Sequence, residues 1–444
     1  MRLCDWQGFS ESTKRIEDIK EGEKLIMCLP ALAAVDSLQA HRRVVETWVS
    51  DQYPVDVSLG AIPKKLRVQK IRVGYFSADF REHPVSQLLA GVIESHNKNN
   101  FELYAFSAGP DTKDSLKKRM ELAFDHFIDI SHQSNQAVAA LCRGLNIDIA
   151  IDLGGHTRDS RIGIFAHRAA PIQVSYLGYP GTTGAQYIDY LMADEVIIPT
   201  VSKHYYSEKI VYLPSYQPND VTREVTMLPK TRADYGLPEK GVIFCCLNES
   251  YKIVPQVFDS WMKILKSVEG SVLWLRSSHF VADNNLKKEA VARGVDPSRL
   301  LFANRLPTIA EHLARYRLAD LFLDTFPYNA HTTASDALWA GLPVLTRIGE
   351  SFASRVAASV LNAIGLPELI TESIASYEAL AIELGSNLDK LHAVKEKLQR
   401  NRLTTPLFDT RRYTLTLEAA YQAMYDRYQA GLAPDHLVIG VHHE

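Results

Sequence analysis

The sequence predicts an α/β protein built from two doubly wound, Rossmann-like domains facing each other across a cleft, with a helical segment in front. Three observations carry that expectation. From Ile71 onward, short continuous apolar runs alternate with amphipathic stretches of helical length, and a second such series starts near Gly241. Strands that are apolar throughout, rather than on alternate residues, are buried on both faces, which is the signature of parallel sheets covered by helices. Between the two series, residues 215–240 carry Pro218, Asn219, Pro229 and Pro238, which interrupt both patterns. A chain of 444 residues also exceeds what a single core usually supports.

Taken in order, residues 1 to 48 show helix-like periodicity ending in HRRVVETWVSDQY, and a connector follows from Pro54 to Pro63. The first alternating series reads KIRVGYFSADF, PVSQLLAGVIESH, FELYAFSAG, NQAVAALCRGLNI, DIAIDLGGH and PIQVSYLGYP. The second reads VIFCCLNE, VPQVFDSWMKILKSV, SVLWLRSS, NNLKKEAVARG and RLLFANRL, then residues 318–347, then SFASRVAASVLNAI. The last helix, DTRRYTLTLEAAYQAMYDRYQ, fits either domain. The expected partition is a helical segment and connector (1–65), a first Rossmann-like domain (66–228), a second (229–405) and a C-terminal helix and tail (406–444). No internal repeat of 30 to 50 residues occurs, so helical-repeat arrays are absent.

Composition narrows the function classes. The net charge of −3 is nearly balanced, and no basic run with interleaved aromatics is present, which argues against nucleic acid as a partner. No apolar stretch approaches the ~20 residues of a membrane span, and the start MRLCDWQGFSESTKR lacks the apolar core of a signal peptide. A cytoplasmic protein with no membrane partner is the expectation. Cys4, Cys28, Cys142, Cys245 and Cys246 are odd in number and lack metal-ligand spacing, so they read as reduced packing residues.

The stretch LADLFLDTFPYNAHTTASDALWAGLPVLTR, residues 318–347, reads as strand, polar loop, helix and strand. Leu321, Phe322 and Leu323 form the strand, and the loop delivers His331, Thr332 and Thr333 to a helix beginning near Ala334. Free N–H groups and the positive end of the helix dipole favour an anion there, such as a diphosphate. The plainer reading is a capping box from Thr333 to Asp336. A second strand end, VIFCCLNESYK, places Lys252 beyond Glu249 and Tyr251. Ligands of parallel sheets bind at such carboxyl ends. There the ammonium suits neutralising a diphosphate leaving group, the alternative being a solvated lysine that opens a helix. His312, on TIAEHLARYRLA, either stacks on a base or covers the solvent edge of its helix.

In the first series, SADFREHP puts His83 ahead of a helix opened by Pro84. A helix N-terminus opposes protonation, which suits a neutral hydrogen-bonding role toward hydroxyls. DLGGHT places His156 after a glycine pair, and LGYPGTTGA follows the next strand in the same way; each is otherwise a tight turn. No Asp-x-Asp pair, P-loop lysine motif or GxGxxG after the first strand occurs, so metal-bridged diphosphate binding, ATP hydrolysis and hydride transfer lack their signatures.

Together, SADFREHPVSQLL, RAAPIQVSYLGYPGTTGAQYIDY, LNESYKI, SVLWL, LARYRLADLFLDTFPYNAHTTASDALWAGLPVLT and GESFASRVAASVL strongly resemble the catalytic region of the O-linked N-acetylglucosamine transferase family, including its bacterial and SPINDLY-like members. The similarity runs from about residue 4 to 430. It implies a GT-B glycosyltransferase fold and an inverting, metal-independent transfer from a nucleotide sugar to Ser or Thr hydroxyls of proteins, with no cofactor. The expected donor is UDP-N-acetylglucosamine; GDP-fucose, used by SPINDLY-like relatives, is the alternative, and the GGHT string at His156 looks more like that branch. On this resemblance residues 66–228 form the acceptor side and 229–405 the donor side. His83 matches the histidine of the active-site cleft and Lys252 the lysine that holds the donor diphosphate. Thr332 and Thr333 match the phosphate-binding pair beside His331, Asp336 the ribose-binding carboxylate, and His312 the histidine beside the base. Glu249 and Arg315 complete the donor set, while His156, Gly178, Tyr179, Pro180 and Thr182 line the sugar and acceptor side.

Two departures stand out. Glu249 occupies a position where relatives commonly carry an amide, and a carboxylate there repels a diphosphate unless it is turned away or protonated. The tetratricopeptide repeats that usually precede this region are missing from the sequence. Two competing classes are a non-hydrolysing sugar-nucleotide epimerase of the same fold and a non-catalytic binding module. The first needs paired carboxylates and a histidine for proton work, for which the first domain offers only Asp79 and Glu82. The second is at odds with intact His83, Lys252 and Thr332.

Overall fold

The computed structural model describes residues 1–19, 27–226 and 231–440. In chain order the strands among them are β1 (Ile71–Ser77), β2 (Phe101–Ser107), β3 (His126–Asp129), β4 (Ile149–Asp152), β5 (Ile172–Ser175), β6 (Tyr190–Ala193), β7 (Lys209–Tyr212), β8 (Ile243–Cys246), β9 (Val272–Arg276), β10 (Leu300–Ala303), β11 (Leu321–Leu323), β12 (Val344–Arg347), β13 (Ile370–Thr371) and β14 (Leu437–Val438). They lie in two compact units. The first comprises Asp18–Ala31, Ser37–Val221 and Phe408–Glu444; the second comprises Met1–Glu17, Leu32–Asp36 and Thr222–Leu407.

In the first unit the sheet order is β14-β7-β6-β5-β4-β1-β2-β3, with every neighbour parallel. In the second it is β10-β9-β8-β11-β12-β13, again parallel throughout. Both are doubly wound α/β sheets whose central strands are buried along their length: β4, β5 and β8 expose no residue. Each sheet reverses its winding once, between β1 and β4 in the first unit and between β8 and β11 in the second. The crevice outside the carboxyl ends at such a reversal is where open α/β sheets take ligands, because the connections leave it to opposite faces.

Strands β3, β6, β7, β13 and β14 are not distinguished by the apolar runs. Each is two to four residues long; β3, β13 and β14 pair with a longer neighbour, and β6 and β7 extend the sheet from β5. The consecutive partition expected from the sequence is replaced by an interleaved one. Helix Phe9–Glu17 belongs to the second unit, where Trp6 Nε1 donates to the Ile253 carbonyl (3.2 Å), whereas helix Leu38–Gln52 belongs to the first. The final helix, Thr410–Gln429, is part of the first unit's core. It buries Tyr413, Leu417, Tyr421 and Met424, its Tyr421 hydroxyl lies 2.8 Å from that of Tyr75, and Glu418 meets His96 Nδ1 at 3.0 Å. All five cysteines are free and buried, as packing residues. No helix among the described residues is long and apolar enough to cross a membrane.

Candidate functional site

In the second unit, β8 ends in a short 3-10 turn, Ser250–Lys252, that carries Lys252 to the reversal point. The lysine is buried, its Nζ donates to the Asn329 carbonyl at 2.7 Å, and it lies 3.9 Å from the centre of the Tyr328 ring. Asn329 and Tyr328 belong to the loop after β11, so the two strand ends flanking the reversal meet at this ammonium. Burial pulls the Lys252 ammonium below the usual lysine range, and Asp324, directly after β11, pulls it back.

The loop then starts the helix Thr332–Ala340, two residues earlier than the sequence pattern placed it. Its N-cap is His331, which makes no capping bond through its side chain. His331 Nε2 lies 3.1 Å from the Ala353 carbonyl and its ring 4.9 Å from that of Tyr328; burial, with Lys252 nearby, holds it well below the usual histidine range. A neutral imidazole donating to a carbonyl adds no positive charge of its own. The first amides of a helix have no partner within it, so those of Thr332 and Thr333 are open to an anion together with their hydroxyls.

The capping box that Thr333 and Asp336 offered is not formed. Asp336 instead pairs with Arg223 (Nη1 to Oδ1, 2.5 Å), with both side chains buried, and the indole of Trp339 donates to the Arg223 carbonyl at 3.0 Å. Nothing in the spacing of residues 223 and 336 announces this pair.

His312 lies on helix Ile309–Arg315, which is started by a true capping box, Thr308 with Glu311. Its Nδ1 accepts from Arg315 Nη2 at 2.5 Å, which leaves the ring proton on Nε2, and its ring meets Tyr316 edge-on at 5.3 Å. Burial first, then Arg315, pushes its pKa down to about 3, so the ring is neutral. Arg315 itself is buried and also donates to the Asn304 carbonyl (2.7 Å); it braces His312 and the end of β10. Glu249 is turned aside: Oε1 lies 2.8 Å from Arg276 Nη1 and Oε2 accepts from the Ser278 hydroxyl at 3.2 Å. That geometry resolves the repulsion expected of a carboxylate at this position, and Arg276, the last residue of β9, went unnoticed in the sequence.

In the first unit the ends of β1, β4 and β5 carry the remaining residues. His83 caps helix Pro84–Ser95, with its Nδ1 accepting from the Val85 amide at 3.3 Å and 3.5 Å from Asp79 Oδ2. The proton therefore sits on Nε2. Burial is the main cause that lowers its pKa, with Asp79 opposing. His156 Nε2 donates to the Thr183 carbonyl (2.7 Å), its ring meets Tyr179 edge-on at 5.1 Å, and burial lowers its pKa to about 4. The two loops touch because of glycine: a Cβ on Gly178 would lie 1.9 Å from the Leu153 carbonyl oxygen, and Gly155, at φ +55°, packs on Tyr179. Pro180 sits in the same buried turn. Thr182 is committed to the fold rather than open to a ligand, since its hydroxyl donates to the buried Glu208 at 2.7 Å, which also receives the Thr183 amide at 2.6 Å.

The second unit thus offers a buried ammonium, two open amides and two hydroxyls at one reversal point, an arrangement suited to a diphosphate. The first offers two neutral histidines and a glycine-tightened turn, an arrangement suited to hydroxyl groups.

A family profile described as Glycosyl transferase family 41 matches residues 61–217 and 217–417. The chain is 40% identical over 461 residues to "Probable UDP-N-acetylglucosamine--peptide N-acetylglucosaminyltransferase SEC" of Arabidopsis thaliana, covering 98% of this chain and 47% of that protein. It is 31% identical over 384 residues to the "Probable UDP-N-acetylglucosamine--peptide N-acetylglucosaminyltransferase SPINDLY" of Oryza sativa subsp. japonica, covering 83% of this chain and 40% of that protein. The solved structure of a Thermobaculum terrenum O-GlcNAc transferase superposes with a TM-score of 0.82 at 28% identity, over 97% of this chain and 83% of that one. The chain spans about half the length of the curated relatives it matches.

Proposed function

Because this chain belongs to glycosyltransferase family 41, we propose that it transfers N-acetylglucosamine from UDP-N-acetylglucosamine to Ser or Thr hydroxyls of protein acceptors, with inversion and without a metal. The observation that carries this reading is the meeting of Lys252 with the loop before Thr332 at the β8/β11 reversal. In the reaction the acceptor oxygen bonds to the anomeric carbon as the bond from that carbon to the phosphate oxygen breaks. The diphosphate leaves with its electron pair, the acceptor hydroxyl's proton is released to the departing diphosphate or to solvent, and the growing charge of the leaving group falls on the Lys252 ammonium and the first-turn amides. Asp336 accepts ribose hydroxyls, and His312 presents its Nε2–H to the base. On the first unit, His83 donates its Nε2–H to a sugar or acceptor hydroxyl, because its other nitrogen is occupied by the Val85 amide.

A thermal-shift panel of UDP, GDP, UDP-N-acetylglucosamine and GDP-fucose, followed by transfer assays with and without EDTA, tests the reading. The uridine ligands are expected to stabilise the protein, by ~2.7 kcal/mol at ~100 times their dissociation constant. Transfer is expected to survive chelation. Stabilisation by the guanosine ligands alone, or loss of transfer on EDTA that manganese restores, overturns donor identity or metal independence respectively.

The Glu249–Arg276 pair carries a prediction of its own. With its charge offset at 2.8 Å and half-exposed, Glu249→Gln is expected to change UDP affinity less than ~threefold, as for other screened ion pairs. A tightening of tenfold in calorimetric titration would place the carboxylate against the diphosphate instead.

A further inference from the structure

Asp324 directly follows strand β11, and its carboxylate lies fully buried. Oδ1 accepts from the amides of Thr325 (2.8 Å) and Ala330 (2.6 Å) and, at 3.4 Å, from Asn248 Nδ2; Oδ2 accepts from the Thr346 hydroxyl at 2.6 Å. One side chain therefore ties both ends of the loop 325–330, the loop whose Asn329 carbonyl receives Lys252 and whose far end opens the Thr332 helix. A capping role would need one of these bonds, and a purely structural anchor would not need a charge.

We propose that Asp324 is a positioning residue that supplies the counter-charge of the Lys252 ammonium and sets the loop beneath the donor diphosphate, so that nucleotide binding is coupled to proton uptake. This rests on the donor site described under the proposed function. Burial disfavours the charged form of both side chains, lowering Lys252 and raising Asp324, and each offsets the other. The other groups facing Lys252 are Cys246 and Glu249, and His331, held neutral by burial; Tyr377, whose hydroxyl donates to the Asp324 carbonyl at 2.9 Å, stays protonated. A diphosphate adds negative charge beside this pair and so favours the protonated form of either member. The sign follows: protons are taken up on binding, and affinity falls as pH rises through the Lys252 value of the free protein.

Asp324→Asn keeps an oxygen for the two amides and an NH2 for Thr346, yet removes the charge. Lys252 then loses its proton at lower pH. At acid pH, where Lys252 is charged regardless, burial leaves the wild-type Asp324 protonated as well, so variant and wild type carry the same charge near the phosphates. UDP titration calorimetry on wild type, Asp324→Asn and Thr346→Val, from roughly pH 6 to 9, reads this directly. The alkaline loss of UDP affinity is expected to move down by ~1 pH unit or more in Asp324→Asn, with acid-side affinity within ~threefold of wild type or tighter. Thr346→Val, which deletes one bond to the carboxylate, is expected to shift it the same way by less. A parallel loss at every pH, or an unchanged profile, overturns the proposal. Should Asp324→Asn not fold, the wild-type protein decides: titration in two buffers of different ionisation enthalpy must show proton uptake, and none overturns the coupling. Failure of wild type to bind UDP or GDP at any pH instead removes the donor site, and this inference with it.

Discussion

Lys252→Ala is expected to lower kcat by ~100- to 1,000-fold, the usual loss when one preorganised group facing transition-state charge is removed. Its ammonium is the cation that the β8 strand end carries to the β8/β11 reversal, and the backbone amides that remain carry only partial charge. The fold should survive. Asp324 would lose its counter-charge but is already pushed upward by burial, so it takes a proton rather than remaining a bare carboxylate. The unmade bond to the Asn329 carbonyl adds a cost of ~1 to 3 kcal/mol. Steady-state transfer kinetics beside a thermal melt separate the two effects. A folded variant that kept more than about a tenth of wild-type kcat would take the leaving-group role away from Lys252.

The second large effect belongs to Asp336. Removing one partner of a buried ion pair typically costs ~3 to 5 kcal/mol, since the remaining charge keeps its desolvation penalty and loses its Coulombic return. Asp336→Asn deprives Arg223 of a contact of 2.5 Å between two buried groups, so a loss of ~3 kcal/mol is expected in denaturant unfolding. Stability alone does not reveal a ligand, and the double variant Arg223→Met/Asp336→Leu supplies the contrast. It is expected to recover much of the stability, because well-packed apolar replacements of a buried pair are often neutral. Nucleotide affinity should stay down by tenfold or more in both variants, through the unmade ribose bonds, at ~1.4 kcal/mol per decade. Wild-type affinity in the folded double variant would remove the ribose contact from this helix and leave Asp336 a structural partner of Arg223.

Much of the architecture was legible because its cause is local. Apolar runs such as VIFCC and LFL are strands buried on both faces, and their alternation with helices leaves parallel sheets as the arrangement that satisfies the backbone. The same locality placed Lys252, His331, Thr332 and Thr333 just beyond the carboxyl ends of their strands, since every parallel strand of a sheet presents its carboxyl end on the same side. His83 was legible for a related reason: proline opens a helix, and the residue before it caps that helix. The family motifs added roles to positions the pattern had already singled out.

What the pattern missed are partnerships across the chain. Arg223 and Asp336 are separated by 113 positions, Lys252 and Asn329 by 77, Thr182 and Glu208 by 26, and no periodicity links them. They exist because a charge or hydroxyl enclosed by packed sheets must find a partner, and which one it finds is set by which strand ends the winding brings together. The placement of the first and last helices has the same origin: each has an apolar stripe that more than one surface accepts, and the packing of Trp6 and Tyr421 chose between them. Two parallel sheets, the edge at which their carboxyl ends lie and the residue types at that edge follow from the sequence alone. The tertiary structure decided which of those residues are held by neighbours, as Thr182 is by Glu208, and which stand open, as the first turn at Thr332 does. The reason is that hydrophobic periodicity is a property of consecutive residues, whereas the satisfaction of a buried polar group depends on three-dimensional proximity.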